Sequence, residues 1–139
     1  MKPAIIVDID GTIAHRITDR SPYDWHRVGE DGPDYILIDL LFRYYHSGIN
    51  IILMSGRDSV CEAETEEWIK THMWDLNDYL LLMRKEKDKR KDTIVKQELY
   101  EEHVKDKYNV MFVLDDRNQV VEMWRSLGLK CLQVAPGKF

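Results

Sequence analysis

The stretch Ala4-Ile5-Ile6-Val7-Asp8-Ile9-Asp10-Gly11-Thr12 decides the fold. Four apolar residues in succession run directly into an aspartate. A strand solvated on one face would alternate apolar and polar residues, whereas an unbroken apolar run is expected of a strand covered on both faces, as in a parallel sheet. Ligands of open parallel sheets bind in the crevice beyond the carboxyl ends of the strands. The Asp-x-Asp-Gly-Thr that ends this run therefore stands where chemistry is expected.

Further strand-length apolar runs follow at Ile49–Met54, Tyr79–Met83, Val110–Leu114 and Cys131–Ala135. Helical patterns lie between them. Tyr35–His46 is apolar-rich and stops near Gly48, a favoured position just past a helix end. Glu62–His72 has an acidic start and the anchor pair Trp68 and Ile69. Ile94, Leu99 and Val104 are spaced for a third helix, and Val120, Val121, Trp124 and Leu127 for a fourth. The resulting order predicts an α/β fold, a doubly wound, Rossmann-like parallel sheet of five strands. No repeat, low-complexity tract or linker interrupts it, so residues 1–139 read as one domain. Residues 13–33 are the exception, with little periodicity, and a loop of that length in a compact domain usually serves a function.

Composition narrows the classes. The chain has 139 residues, 25 acidic against 20 basic, for a net charge of −5. That balance argues against binding nucleic acid through bulk charge, though not against a local basic groove. No apolar run approaches the roughly 20 residues of a membrane span, and no secretory leader is expected from Met1-Lys2-Pro3. Cys61 and Cys131 form no framework or metal pattern, which suits a reducing cytoplasm.

Each informative cluster follows a predicted strand: Asp8 to Thr12 after the first, Ser55-Gly56-Arg57 after the second, Arg84 after the third, Asp115-Asp116-Arg117 after the fourth. Four clusters at one sheet edge converge on one site. Asp8 and Asp10 are two apart at a strand end, so their carboxylates are expected to approach one point. Turn chemistry accounts for Asp10-Gly11, but not for Asp8, a charge at the end of a buried strand. In Asp115-Asp116, one residue is expected to cap the following helix. The other, with Asp8, makes a hard, all-oxygen site that suits Mg²⁺ rather than Zn²⁺. His15, His26, His46, His72 and His103 are scattered without ligand spacing. Ser55-Gly56-Arg57 reads as an anion site at a helix N-terminus or as a plain turn. Arg84 to Lys96 holds seven basic and three acidic residues. Most of these read as a solvated loop, with Arg84 and Lys96 set apart, and the net +4 offers a track for a phosphate backbone.

Together these residues resemble the haloacid dehalogenase-like (HAD) phosphatases, and more closely the phosphatase half of phage polynucleotide kinase/phosphatase. The likeness is carried by Ile6–Ala14, Pro22-Tyr23-Asp24, Ser55-Gly56-Arg57, Arg84, Arg90-Lys91-Asp92, Val95-Lys96, Asp115–Trp124 and the tail Gln133–Phe139. The resemblance implies a Mg²⁺-dependent 3′-phosphatase acting on nucleic-acid 3′ ends and 3′-phosphorylated nucleotides. Asp8 would be the nucleophile. Asp10 would be the acid that protonates the sugar 3′-oxygen and then the base that deprotonates water. The metal would sit on the Asp8 carboxylate, the Asp10 backbone carbonyl and the Asp115-Asp116 pair, Asp116 directly and Asp115 in support. Ser55, Gly56, Lys96 and Thr12 would bind phosphate, and Arg57, Arg84 and Arg117 would assist with substrate.

No kinase-type Gly-x-x-x-x-Gly-Lys-Ser/Thr loop occurs, so 5′-kinase activity is not expected. Residues 13–33 are expected to serve as a small loop-type cap, with Tyr23, Trp25 and His26 either stacking on a base or anchoring the loop. The family inclines slightly toward a homodimer, and the lack of a spanning apolar run leads to no membrane being expected. A small-phosphomonoester phosphatase or nucleotidase is the same-chemistry alternative, and a non-catalytic module binding phosphate ends is the other. Asp8→Asn should abolish phosphate turnover and leave the circular dichroism spectrum unchanged. A variant keeping most of its metal-dependent activity would remove Asp8 from the nucleophile's place.

Overall fold

Alternation within the apolar runs sets the architecture. In chain order, the computed structural model, which describes residues 1–139, contains β1 (Lys2–Asp8), β2 (Ala14–His15), β3 (Gly32–Pro33), α1 (Tyr35–His46), β4 (Asn50–Asp58), α2 (Glu62–His72), β5 (Leu80–Arg84), α3 (Asp92–His103), β6 (Tyr108–Asp115), α4 (Asn118–Ser126) and β7 (Cys131–Gln133). The five long-range strands pair in parallel in the order β5-β4-β1-β6-β7, with β1 at the centre.

Successive side chains of a strand point to opposite faces. In β1, Ile5 and Val7 join Ile51 and Leu53 of β4 beneath α1 and α2, where Ile38, Leu41, Trp68 and Ile69 meet them. Ala4 and Ile6 point the other way, with Ile52 and Met54, toward Val120, Val121 and Trp124 of α4. Both faces are buried, which explains apolar runs without a polar alternate. Asp8 falls on the parity of Ala4 and Ile6, so its carboxylate is delivered to the α3/α4 side.

The expected helices Tyr35–His46 and Glu62–His72 form over those residues, the first capped by the Asp34 carboxylate accepting from the Leu37 amide. Three expectations need correction. The second strand does not end at Met54 but runs to Asp58 through an irregularity between Ser55 and Asp58. Helix α2 begins only at Glu62, after a short 3-10 turn, so Ser55-Gly56-Arg57 is not at a helix N-terminus. The last strand stops at Gln133 rather than Ala135. Nor is the 13–33 segment structureless: β2 and β3 pair antiparallel and enclose a 3-10 turn at Trp25–Glu30.

No helix is long and apolar enough to cross a membrane. Cys61 and Cys131 are free, buried thiols. Trp124 is fully buried in the α3/α4 layer. Trp124→Ala should lower stability by about 3–5 kcal/mol, read from the shift in urea midpoint. A loss below about 1 kcal/mol would mean that this layer collapses around the cavity at little cost.

Candidate active site

The carboxyl ends of β1 and β6 bring three carboxylates together. Oxygens of Asp8, Asp115 and Asp116 lie within 4.8 Å of one another, and all three residues are buried. Lys96, on the buried side of α3, supplies the one ammonium among them. Its Nζ donates to Asp8 Oδ1 at 2.7 Å and to Asp115 Oδ2 at 3.0 Å. Burial alone would lower the Lys96 pKa, but Asp115 and Asp8 outweigh it and hold the amine far above its usual value. Burial pushes the Asp8 carboxyl well above the normal carboxylate range, with Lys96 pulling it back and Asp115 and Asp116 adding to the rise. Asp116 is raised as well, first by burial and then by Asp115 among its neighbours.

The members of this cluster are not equivalent. Asp8 Oδ2 accepts the Thr12 hydroxyl at 3.0 Å, so both Asp8 oxygens are oriented. Asp115 Oδ1 takes the amides of Asp116 and Arg117, which fixes the turn leading into α4. Asp116 differs: its carbonyl accepts the Gln133 side-chain amide at 3.0 Å, and neither Lys96 nor Thr12 holds its carboxylate. Gly11, at φ +81°, makes room for it: a Cβ there would stand 2.1 Å from Asp116 Oδ2. One ammonium among three carboxylates leaves negative charge uncompensated in a poorly solvated place. Hard oxygen donors with that excess fit a divalent cation of the magnesium type, with Asp116 the member most open to direct ligation.

Asp10 belongs to a different network. The expectation that its carboxylate would meet that of Asp8 is corrected, because the chain turns after Asp8 and Asp10 faces Arg57. Arg57 Nε and Nη2 grip its two oxygens at 3.0 and 2.9 Å. Arg57 also reaches Asp31 at 3.1 Å and Thr65 at 3.1 Å. Arg20 closes the network with two bonds of 2.7 Å to Asp31. Arg20, Asp31 and Arg57 are all buried, whereas the Asp10 side chain is 46% exposed. Two guanidiniums held on one buried carboxylate thus present Asp10 to solvent at a set angle.

A third group of contacts shapes the rim. Arg84 turns inward and donates to the carbonyls of Gly56, Asp88 and Arg90 and to the Asp92 carboxylate. Asp92 in turn receives Arg117 Nη1 at 3.0 Å. The C-terminal residues pack against the same turn. Gly137 approaches so closely that a Cβ would lie 1.8 Å from the Asp116 carbonyl, and Arg117 stacks over the Phe139 ring at 5.4 Å. The three groups surround one open cleft of about 1070 Å³, lined by Asp8, Asp10, Lys96, Asp115 and Asp116 within and by basic and aromatic side chains outside.

A family model for the polynucleotide kinase PNKP phosphatase domain matches residues 2–139. The chain belongs to that family. A viral relative is 40% identical over 127 residues: the "Putative bifunctional polynucleotide kinase/RNA ligase" of Autographa californica nuclear polyhedrosis virus. The match covers 89% of this chain but only 18% of that protein. A solved chain of the Pnkp1/Rnl/Hen1 complex superposes with a TM-score of 0.93 at 39% identity, covering 100% of this chain and 48% of the other. A second, from the Pnkp1/Rnl/Hen1 RNA repair complex, gives 0.92 at 41%, covering 99% and 44%. A class C acid phosphatase from Bacillus anthracis, at 19% identity and a TM-score of 0.66 over 99% of this chain and 67% of the other, shares the fold alone. The chain therefore spans a small part of the viral relative and about half of the solved chains.

In this PNKP-type HAD phosphatase domain, the structure gathers Asp8, Lys96, Asp115 and Asp116 at one point and holds Asp10 beside it. Several residues expected to contact substrate also make bonds inside the protein. Arg57 and Arg84 have their donors engaged by the chain, and the Thr12 hydroxyl is committed to Asp8. Ser55 is fully buried and its Oγ accepts the Arg57 amide at 3.0 Å, while Gly56 reaches the cleft. Arg117 remains partly open at the rim. Sequence reasoning missed Arg20 and Asp31 altogether, since nothing in an aperiodic loop marks an arginine and an aspartate 11 residues apart as buried partners. Asp31→Asn keeps the shape but removes the charge from between two guanidiniums. Breaking such a buried pair costs roughly 3–5 kcal/mol, so a clear drop in melting temperature and in turnover should follow. Unchanged values for both would show that Arg57 positions Asp10 without Asp31.

Proposed function

We propose that the domain is a Mg²⁺-dependent polynucleotide 3′-phosphatase working through an aspartyl-phosphate on Asp8. The observation that carries the reading is Asp8: a buried carboxylate at a strand end, oriented at both oxygens, in a cleft that also presents Asp10 beside it on a separate cation. A mere phosphate-binding module needs neither carboxylate. Held by Asp8, Asp116, the Asp10 carbonyl and the support of Asp115, Mg²⁺ would supply the positive charge that lets a dianionic phosphomonoester approach an aspartate.

The remaining roles belong to the chain. An Asp8 oxygen attacks phosphorus while the bond to the sugar 3′-oxygen breaks, and Asp10 delivers its proton to that oxygen. In the second half Asp10 takes a proton from water, the water oxygen bonds to phosphorus, and inorganic phosphate leaves Asp8 free again. The Lys96 ammonium, 2.7 Å from Asp8, offsets charge that grows on the phosphoryl oxygens. Arg57 keeps Asp10 on the cleft side through both halves.

The named relatives join this module to RNA ligation or to RNA repair, which makes RNA 3′ ends the first substrate to offer, with DNA beside them. The test is phosphate release from 3′- and 5′-phosphorylated oligonucleotides, with Mg²⁺ and with EDTA. Release from the 3′ end alone, and only with metal, is expected. Equal release from both ends, or far faster turnover of mononucleotides, would replace this reading with a general nucleotidase.

A further inference from the structure

The stretch from Arg84 to Lys96 divides in the structure in a way its composition does not show. The two residues singled out from sequence, Arg84 and Lys96, point inward and serve the fold and the carboxylate cluster. Arg90 is consumed by Asp88 and Glu98. Of the four lysines left, Lys85 lies outside the cleft that holds Asp8, beside Val95 and Glu98, which sets apart Lys87, Lys89 and Lys91. All three are exposed, none has a carboxylate within ion-pair distance, and all three line the cleft that holds Asp8. They alternate along a segment that is tied down from within, since Arg84 binds the carbonyls of Asp88 and Arg90 and the carboxylate of Asp92. Lys87 itself stands at φ 66°, in the left-handed region, with its amide donated to Asp58 Oδ2 at 3.0 Å. A non-glycine residue in that conformation costs free energy and persists only where its surroundings hold it. In a protein of net charge −5, three unpaired lysines are thus carried on a braced strap at the mouth of the site.

The same cleft carries two aromatic residues from the 13–33 segment. Tyr23 is 79% exposed and meets Trp25 edge to face, with ring centroids 6.1 Å apart. Single-stranded nucleic acid is bound where a positive groove follows the backbone and aromatic rings receive the bases. The cleft volume of about 1070 Å³ also exceeds what one phosphomonoester fills.

We infer that Lys87, Lys89 and Lys91 form a phosphodiester subsite that binds the internucleotide phosphates immediately 5′ of the terminal 3′-phosphate of a single strand, with Tyr23 and Trp25 on the base side. This rests on the 3′-phosphatase reading and adds its substrate class: a single-stranded 3′ tail in preference to a free 3′-nucleotide.

The test compares the wild-type protein with a Lys87→Asn/Lys89→Ala/Lys91→Ala variant, asparagine being chosen because it tolerates φ 66°. Substrates are a 3′-phosphorylated ten-nucleotide single strand and a 3′-mononucleotide. The variant should lose about tenfold or more in kcat/KM on the oligonucleotide, through KM, and stay within about twofold on the mononucleotide. Its log–log salt slope should flatten by about 2, the value for three contacts to a single strand. An unchanged oligonucleotide KM, or equal losses on both substrates, overturns the subsite. Should the wild type release no phosphate from 3′ ends, the 3′-phosphatase reading fails separately. Anisotropy with the labelled single strand then decides: salt-sensitive binding lost in the variant sustains the subsite, and binding that is absent or unaltered overturns it.

Discussion

Three carboxylates share one buried ammonium, and the rest of the site is arranged around that imbalance. Lys96 must leave water to reach Asp8 and Asp115, and a desolvated ammonium is tolerable only with close, well-placed partners. That requirement ties α3, which packs on β4, β5 and α4, to the ends of β1 and β6 through Lys96. The charge left over cannot be relieved by the chain, because Arg57, Arg84 and Arg117 are bound elsewhere. It therefore makes the cluster receptive to a cation, and a phosphate dianion can approach only once that charge is met.

The two aspartates of the Asp-x-Asp motif are kept apart electrostatically. Asp8 answers to Lys96 and the acidic cluster, buried on the α3/α4 side, while Asp10 answers to Arg57 and keeps nearly half of its surface in solvent. A nucleophile and a proton carrier need different surroundings, since one must stay ionised near phosphorus and the other must exchange a proton with sugar and water. The turn at Gly11 makes this separation within two residues. It also leaves the space that Asp116 occupies, so one glycine serves both halves of the site.

Charge elsewhere follows the same division between inward and outward groups. Arginines, whose planar forks can bind several acceptors at once, are used as internal clamps: Arg20 and Arg57 on Asp31, Arg84 on the strap, Arg117 on Asp92 and the C-terminal residues. Of the lysines that line the cleft, Lys96 alone is buried, and Lys87, Lys89 and Lys91 are left to solvent. A basic run that looks uniform in composition thus contains a scaffold and a surface.

Much of this was legible in the amino-acid sequence, for definite reasons. Unbroken apolar runs mark strands buried on both faces, and the four polar clusters that follow them fall at one sheet edge by the direction of a parallel sheet alone. Asp8, Asp10, Asp115 and Asp116 could be named because a charge at the end of a buried strand has no packing role. The sequence by itself thus determined the sheet, its helices and the edge where chemistry is placed. Only the tertiary structure decided which charges meet: that Asp10 turns to Arg57 rather than to Asp8, that Arg20 and Asp31 brace it, and that Arg84 faces inward while Lys87, Lys89 and Lys91 face the cleft. Periodicity reports which face of an element is buried, because burial is a property of one residue and its neighbours along the chain. Ion pairing joins residues such as Asp10 and Arg57, 47 positions apart, and depends on distances that exist only after the sheet has closed.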